Sequence, residues 1–146
     1  FKRSITRTFP SIYRPIFCNA NRSYVMKYTT DHEWVDINNG SATIGITNYA
    51  QQQLGEIVYV ELPEAGTALE SGQAFGEVES VKSSSELLSP VGGTIESVNE
   101  RIKETPSLIN KSPESDGWIV KLTGVTDSDD SLMDKSAYEE YLKTVQ

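Results

Sequence analysis

Gly76-Glu77-Val78-Glu79-Ser80-Val81-Lys82-Ser83-Ser84-Ser85-Glu86-Leu87-Leu88-Ser89-Pro90-Val91-Gly92-Gly93-Thr94-Ile95 sets two strand-like arms around a polar tip. Phe75, Val78 and Val81 precede the tip, Leu87, Leu88 and Val91 follow it, and Pro90 with Gly92-Gly93 closes the run. Apolar residues bounded by turn residues in this way predict a β-hairpin. Lys82 is the only Lys or Arg between Lys27 and Arg101, and the serines beside it are too small to shield an ammonium. Glu79-Ser80-Val81 recurs as Glu96-Ser97-Val98, which fits two similar arms facing each other but is too short to mark a solenoid repeat.

A lysine on a hairpin tip is ordinarily a solvated surface charge. To act as a nucleophile or base it needs a neutral amine near pH 7, hence a pKa lowered from about 10.4 by burial or by cationic neighbours. Its neighbours in sequence are Glu77, Glu79 and Glu86, which favour the ammonium if they are close, so Schiff-base and general-base chemistry is disfavoured. Covalent attachment survives that objection, because a modifying enzyme brings its own activated acyl group and base. Exposure on a tight turn is then the property that matters, and the attached group would travel on a flexible arm as cofactor group carriers do.

Working outward, Lys27-Tyr28 and Glu33–Ile37 read as short strands, and Asn38-Asn39-Gly40 as a hairpin turn into Ser41–Ile46. Thr47 is placed to cap a helix over Asn48–Leu54, with Gly55 ending it in the left-handed conformation. Ile57–Leu62 is a β-branched strand stopped by Pro63, and the segments 64–66 and 71–72 frame another turn. Pro106 starts a single helical turn through Asn110, and Trp118–Leu122 is a late strand. From Asp127 the tail is acidic and then helical, with Tyr138, Tyr141, Leu142 and Val145 forming a stripe expected to dock on the β body. Many short strands predict a mainly β architecture, although periodicity alone does not separate barrel, sandwich and hybrid.

Length and charge bound the rest. The chain of 146 residues is long enough for one domain with its own core. Residues 1–30 hold six Lys/Arg and no acid, whereas residues 31–146 hold seven Lys/Arg against all 21 Asp/Glu, a net of −14. The basic, Ser/Thr-bearing start reads as a mitochondrial transit peptide over residues 1–24, with Arg22-Ser23-Tyr24 as processing signal and a mature start near Val25. A basic arm for nucleic acid or acidic lipid is the competing reading. Phe1 is not Met, so an initiator is expected upstream. No stretch approaches a transmembrane span. The single cysteine, Cys18, falls in the leader, so the body is expected to hold no disulfide or thiolate. A lone His32 without a second His or Cys is a poor metal site, and none is expected.

The hairpin Glu79–Ile95 resembles the lipoyl-attachment hairpin of the glycine cleavage system H proteins. The resemblance extends through His32-Glu33-Trp34-Val35, Ile44–Gln51, Leu54–Glu64, Pro106–Asn110 and Asp116-Gly117-Trp118, in order, from about Lys27 to the C-terminus. It implies a flattened two-sheet sandwich/barrel hybrid of the lipoyl/biotinyl-domain type, with short helices and a C-terminal helix, over residues 25–146. It also implies a carrier without turnover of its own, bearing lipoate on Lys82. A pyridoxal-phosphate glycine decarboxylase would load an aminomethyl group onto the oxidised arm. A tetrahydrofolate-dependent aminomethyltransferase would take the one-carbon unit and release ammonia. An FAD-containing dihydrolipoamide dehydrogenase would then reoxidise the dithiol.

Lipoyl-attaching enzymes complete the partners, the expected location is the mitochondrial matrix, and a monomer is expected. Nucleic acid and membrane are not expected partners, and the acidic body should meet basic surfaces. Family likeness places Glu33 and Glu86 at a cleft that shelters the loaded arm, where a carboxylate could hold a terminal ammonium. Asp31 stands where serine is familiar and Glu86 where aspartate is, which alters reach. Three alternatives stay open: an H-like relay supplying lipoyl groups to other enzymes, a biotinyl carrier, and a lipoyl domain of a 2-oxoacid dehydrogenase. Biotinyl tips commonly read Met-Lys-Met and the dehydrogenase tips Asp-Lys-Ala, where this chain has Val81-Lys82-Ser83.

Overall fold

The computed structural model describes residues 26–125 and 132–145. The leader with Cys18, the processing signal, Val25 and the acidic start of the tail at Asp127 lie outside the described residues. In chain order come β1 (Met26–Tyr28), β2 (Glu33–Asn38), β3 (Ser41–Ile46), α1 (Asn48–Leu54), β4 (Ile57–Glu61), β5 (Ala68–Leu69) and β6 (Ala74–Ser80). They are followed by β7 (Ser84–Leu88), β8 (Gly93–Val98), α2 (Glu100–Glu104), α3 (Ser107–Lys111), β9 (Val120–Thr123) and α4 (Lys135–Val145).

Two antiparallel sheets face one another, a six-stranded one in the order β1-β2-β3-β9-β8-β5 and a three-stranded one in the order β4-β6-β7. Val35, Ile44, Ile95 and Leu122 from the first meet Ile57, Val60, Val78 and Leu87 from the second in one core. Alternation, in which residues two apart share a face, places them there except in β4, where a bulge brings Ile57 and Val60, three apart, to the core side. This is the expected mainly β, two-sheet arrangement with short helices and a C-terminal helix.

Local chemistry explains the connections. Asn39 and Gly40 have φ of 53° and 79°, the pair of positive values that a two-residue hairpin turn between β2 and β3 requires. The Thr47 hydroxyl accepts from the Ala50 amide and caps α1. Gly55 ends α1 with φ 85°, but its ψ of −155° is extended rather than left-handed helical, because the chain must run straight into β4. The late strand begins at Val120, two residues after the predicted start. Trp118 is diverted by Asn99, whose Nδ2 donates to the Trp118 carbonyl at 2.7 Å and to Asp116 O at 3.0 Å. The same Asn99 caps α2 by accepting from the Arg101 amide, a helix not anticipated in the sequence. The repeated Glu-Ser-Val triplets are not strand partners: the first runs off the end of β6 and the second lies in β8, in the other sheet.

The outer face of the six-stranded sheet is covered at one end by α4. Tyr138 is buried and stacks on Tyr28 with centroids 4.7 Å apart, and Trp34 completes the cluster with Trp118, Tyr141 and Leu142 against it. The predicted stripe therefore docks, except at its end, where Val145 is exposed. Trp34 lies over Gly45, its register partner on β3, and donates from Nε1 to Pro113 O at 2.9 Å. A Cβ at Gly45 would stand 2.7 Å from the indole, so any side chain there displaces the ring. Gly45→Ala should lower stability by about 1–3 kcal/mol, with a change in tryptophan fluorescence of the folded protein. An unshifted denaturation midpoint would show that the indole is not seated as described.

Candidate functional site

The hairpin β6–β7 carries Lys82 at a three-residue tip, Val81 to Ser83. Serine chemistry fixes this tip. The Ser80 hydroxyl accepts from the amides of Lys82 and Ser83, both at 3.1 Å, and the Ser80 amide donates to Ser83 O at 2.7 Å. The Val81 amide donates to Glu56 O at 3.0 Å, tying the tip to the start of β4. The aliphatic stem of Lys82 passes over Gly55, with Cε 3.4 Å from where a Cβ would stand. Lys82 itself is exposed and takes part in neither of the two ion pairs found among the described residues. The tip is thus a rigid backbone turn holding a solvent-accessible amine.

Glu33 lies off this hairpin, on a strand of the other sheet, and meets the hairpin at the far end of β7. It is buried in β2 on the core side of the six-stranded sheet, and its carboxylate crosses to the other sheet. Oε2 accepts from the Leu88 amide of β7 at 3.2 Å, and Oε1 accepts from the Thr29 hydroxyl at 2.8 Å. Thr29 also gathers the turn before β2, since its hydroxyl accepts from the amides of Asp31 and Glu33. Burial pushes the Glu33 carboxyl up from 4.5 to about 7, against the two hydrogen bonds that favour the anion and with a small upward push from Asp31. Glu33 lines a depression of about 160 Å³ with Asp31, Ser71, Leu88, Pro90 and Leu132.

Glu86 is exposed on the outer face of the three-stranded sheet, opposite Glu77, and lines a different depression with Glu61 and Phe75. Along an extended chain Glu86 lies roughly 13 Å and Leu88 roughly 20 Å from Lys82, at about 3.3 Å per residue. The hairpin therefore orders Lys82, Glu86 and the Glu33 contact along one strand but places the two carboxylates in separate depressions. Sequence reading missed Ser80, Thr29 and the Leu88 amide. The Thr29-to-Glu33 spacing was a visible local signal, while the partner 55 residues away had none.

His32 precedes Glu33 with a φ of 70°, strained for a residue with a side chain. Its Nδ1 and the Thr47 hydroxyl each lie 2.8 Å from the Tyr138 hydroxyl. Burial lowers the His32 pKa, with Asp31 opposing, and pushes Tyr138 up to about 12, so a neutral imidazole meets a protonated phenol. One consistent assignment has Thr47 donating to Tyr138 and Tyr138 donating to His32. Tyr141 donates to Thr30 O at 3.3 Å, so α4 holds the Thr29–Glu33 turn at two points. Among the described residues no group of three or more His, Cys, Asp or Glu is placed to hold a metal.

The raised Glu33 pKa has a sign that can be tested. Between about 4.5 and 7 the folded state binds more protons than the unfolded chain, so this group's contribution to stability falls as pH rises through that window. The loss amounts to at most about 3 kcal/mol. Glu33→Gln keeps an acceptor for Leu88 and cannot ionise. Its stability should be flatter than that of the parent over that window, and equal or greater at pH 8; parallel unfolding profiles would contradict the assignment.

A family model described as Glycine cleavage H-protein matches residues 26–145. The mitochondrial glycine cleavage system H protein of Oryza sativa subsp. indica is 49% identical over 117 residues, covering 80% of this chain and 71% of that one. The glycine cleavage system H protein of Thermotoga maritima is 45% identical over 116 residues, covering 79% and 94%. Among solved structures, a glycine cleavage system H protein from Mycobacterium marinum aligns with a TM-score of 0.76 at 35% identity, covering 81% of this chain and 96% of that one. The chain belongs to the glycine cleavage H-protein family, carrier proteins of a multienzyme system rather than catalysts.

Proposed function

We propose that the chain is the lipoyl-bearing carrier of glycine cleavage and that Lys82 is its attachment residue. The observation that carries the reading is the solvent-exposed amine on a tip fixed by Ser80 and Glu56, inside the span that matches the family. That geometry suits a carboxylic-acid cofactor joined by an amide, since attachment needs a reachable amine and no pocket. Once bound, the group would supply a disulfide able to accept a one-carbon amine and two electrons. Attachment would erase the only positive charge between Lys27 and Arg101, leaving a uniformly acidic segment.

The protein's own residues would then dock and shield. In this reading Glu33 offers a carboxylate poised near neutral pH in a half-enclosed depression, able to hold an ammonium and exclude water from it. Glu86, nearer the tip and exposed, would meet the arm on its way. Glycine decarboxylase, aminomethyltransferase and dihydrolipoamide dehydrogenase are the partners in turn, after a lipoyl-attaching enzyme. Residues 1–24 are read as a transit peptide and the mitochondrial matrix as the location, in keeping with the name of the rice relative; the Thermotoga relative carries no such name.

Lipoylated protein should support bicarbonate exchange into glycine by glycine decarboxylase, and Lys82→Arg should abolish it. A fully lipoylated protein that supports no exchange would instead favour the relay reading, in which lipoyl groups pass to other enzymes. Glu33→Ala should speed hydrolytic loss of the one-carbon amine from the loaded protein, measured after the enzymes are stopped. An unchanged decay would remove Glu33 from the docking role.

A further inference from the structure

Four large apolar side chains stand exposed among the described residues, and three of them lie at or near the Lys82 tip: Val81 belongs to it, and Val58 and Tyr59 lie on β4 where that strand pairs with Ser80 and Glu79. Their exposure is built into the backbone. A bulge in β4 between Ile57 and Tyr59 inserts one residue, so that Ile57 and Val60 both point into the core while Val58 and Tyr59 both face solvent. Regular alternation would have turned Tyr59 inward. Val58 is 48%, Tyr59 52% and Val81 65% exposed, and Val81 is joined through its amide to Glu56, two residues before Val58. Solvent-facing apolar groups clustered in this way, rather than scattered, mark an interaction surface.

Charge defines the partner. Beside Tyr59, the register of the three-stranded sheet places Glu61, Glu77 and Glu86 in one cross-strand row on the outer face. Like charges directly opposite are unfavourable, and among the described residues no ion pair relieves them. A protein with basic side chains around an apolar socket would relieve the repulsion and cover the patch together.

We infer that this face, with Tyr59 as its anchor, is the docking surface for the enzyme that acylates Lys82. The inference rests on the carrier reading above. It commits to that enzyme because an unmodified lysine reaches only the length of its own side chain. Whatever acylates Nζ must sit on the residues around the tip, whereas enzymes acting on the end of a long arm need not. In the reaction the Nζ amine, having given a proton to the enzyme's base, attacks the acyl carbon of an acyl adenylate. The amide bond forms, the bond to AMP breaks, and the second amine proton is released. Aromatic anchors of this kind commonly dominate an interface, and the acidic row would speed encounter at low salt.

The test uses the full chain with purified lipoate ligase, lipoate and ATP, following intact mass over time at two ionic strengths. Tyr59→Ser should reduce kcat/KM by about tenfold or more, chiefly through KM, while Val145→Ser, on α4, should match the parent. Glu77→Gln should flatten the salt dependence. Acylation of Lys82 by a small N-hydroxysuccinimide ester, mapped by peptide analysis, should be the same in parent and Tyr59→Ser, which separates docking from a disturbed tip. A Tyr59→Ser protein modified at the parental rate would overturn the docking surface and leave the carrier reading standing. A parent protein that the ligase fails to modify at Lys82 would overturn both.

Discussion

The Glu33 carboxylate is the hinge of the arrangement, because it is the most deeply buried carboxylate among the described residues and it spans the two sheets. Strand β7 lies at the edge of its sheet, and the Leu88 amide would otherwise point into a gap without a partner. An unsatisfied amide there would be costly, and an ionised carboxylate in the same gap is also costly. Each relieves the other only in part, which is why the group keeps a pKa near neutrality rather than a depressed one. Stability is given up at that position in return for a half-neutral acid facing a depression.

Two devices hold the ends of the lysine hairpin relative to Glu33. At the tip, Ser80 and Glu56 O remove the freedom of the turn, so Lys82 moves with its side chain and not with its backbone. At the other end, α4 secures the turn that carries Glu33, through Tyr138 to His32 and Tyr141 to Thr30 O. The strained His32 backbone persists because Thr47, Tyr138 and the Tyr49 ring surround it. Under the proposed carrier function, such a division would supply a fixed body, a fixed turn and one flexible arm.

Much of this was legible in the chain because its signals are local. Asn39-Gly40 as a hairpin turn, Thr47 as a cap and the apolar arms flanking Lys82 each follow from neighbours a few residues apart. The family resemblance gave the two-sheet fold where periodicity stopped short, and the proposal of Lys82 as attachment residue rests on it as well. What escaped was nonlocal or irregular. The Glu33 to Leu88 bond joins residues 55 apart, and the His32 to Tyr138 contact residues 106 apart. Val58 and Tyr59 read as an ordinary β-branched and aromatic strand, and only the bulge reveals that both face solvent. The diverted start of β9 depends on one asparagine side chain reaching across from the start of α2.

The central claim is that Lys82 is presented in order to be acylated. Its most direct test is the intact mass of the protein purified from its native cells under lipoate-replete growth, with peptide mapping around residue 82. The account predicts a single lipoyl adduct on Lys82 and none on other lysines. Protein with an unmodified Lys82 under those conditions would contradict it, and the hairpin would then be scaffold without cargo.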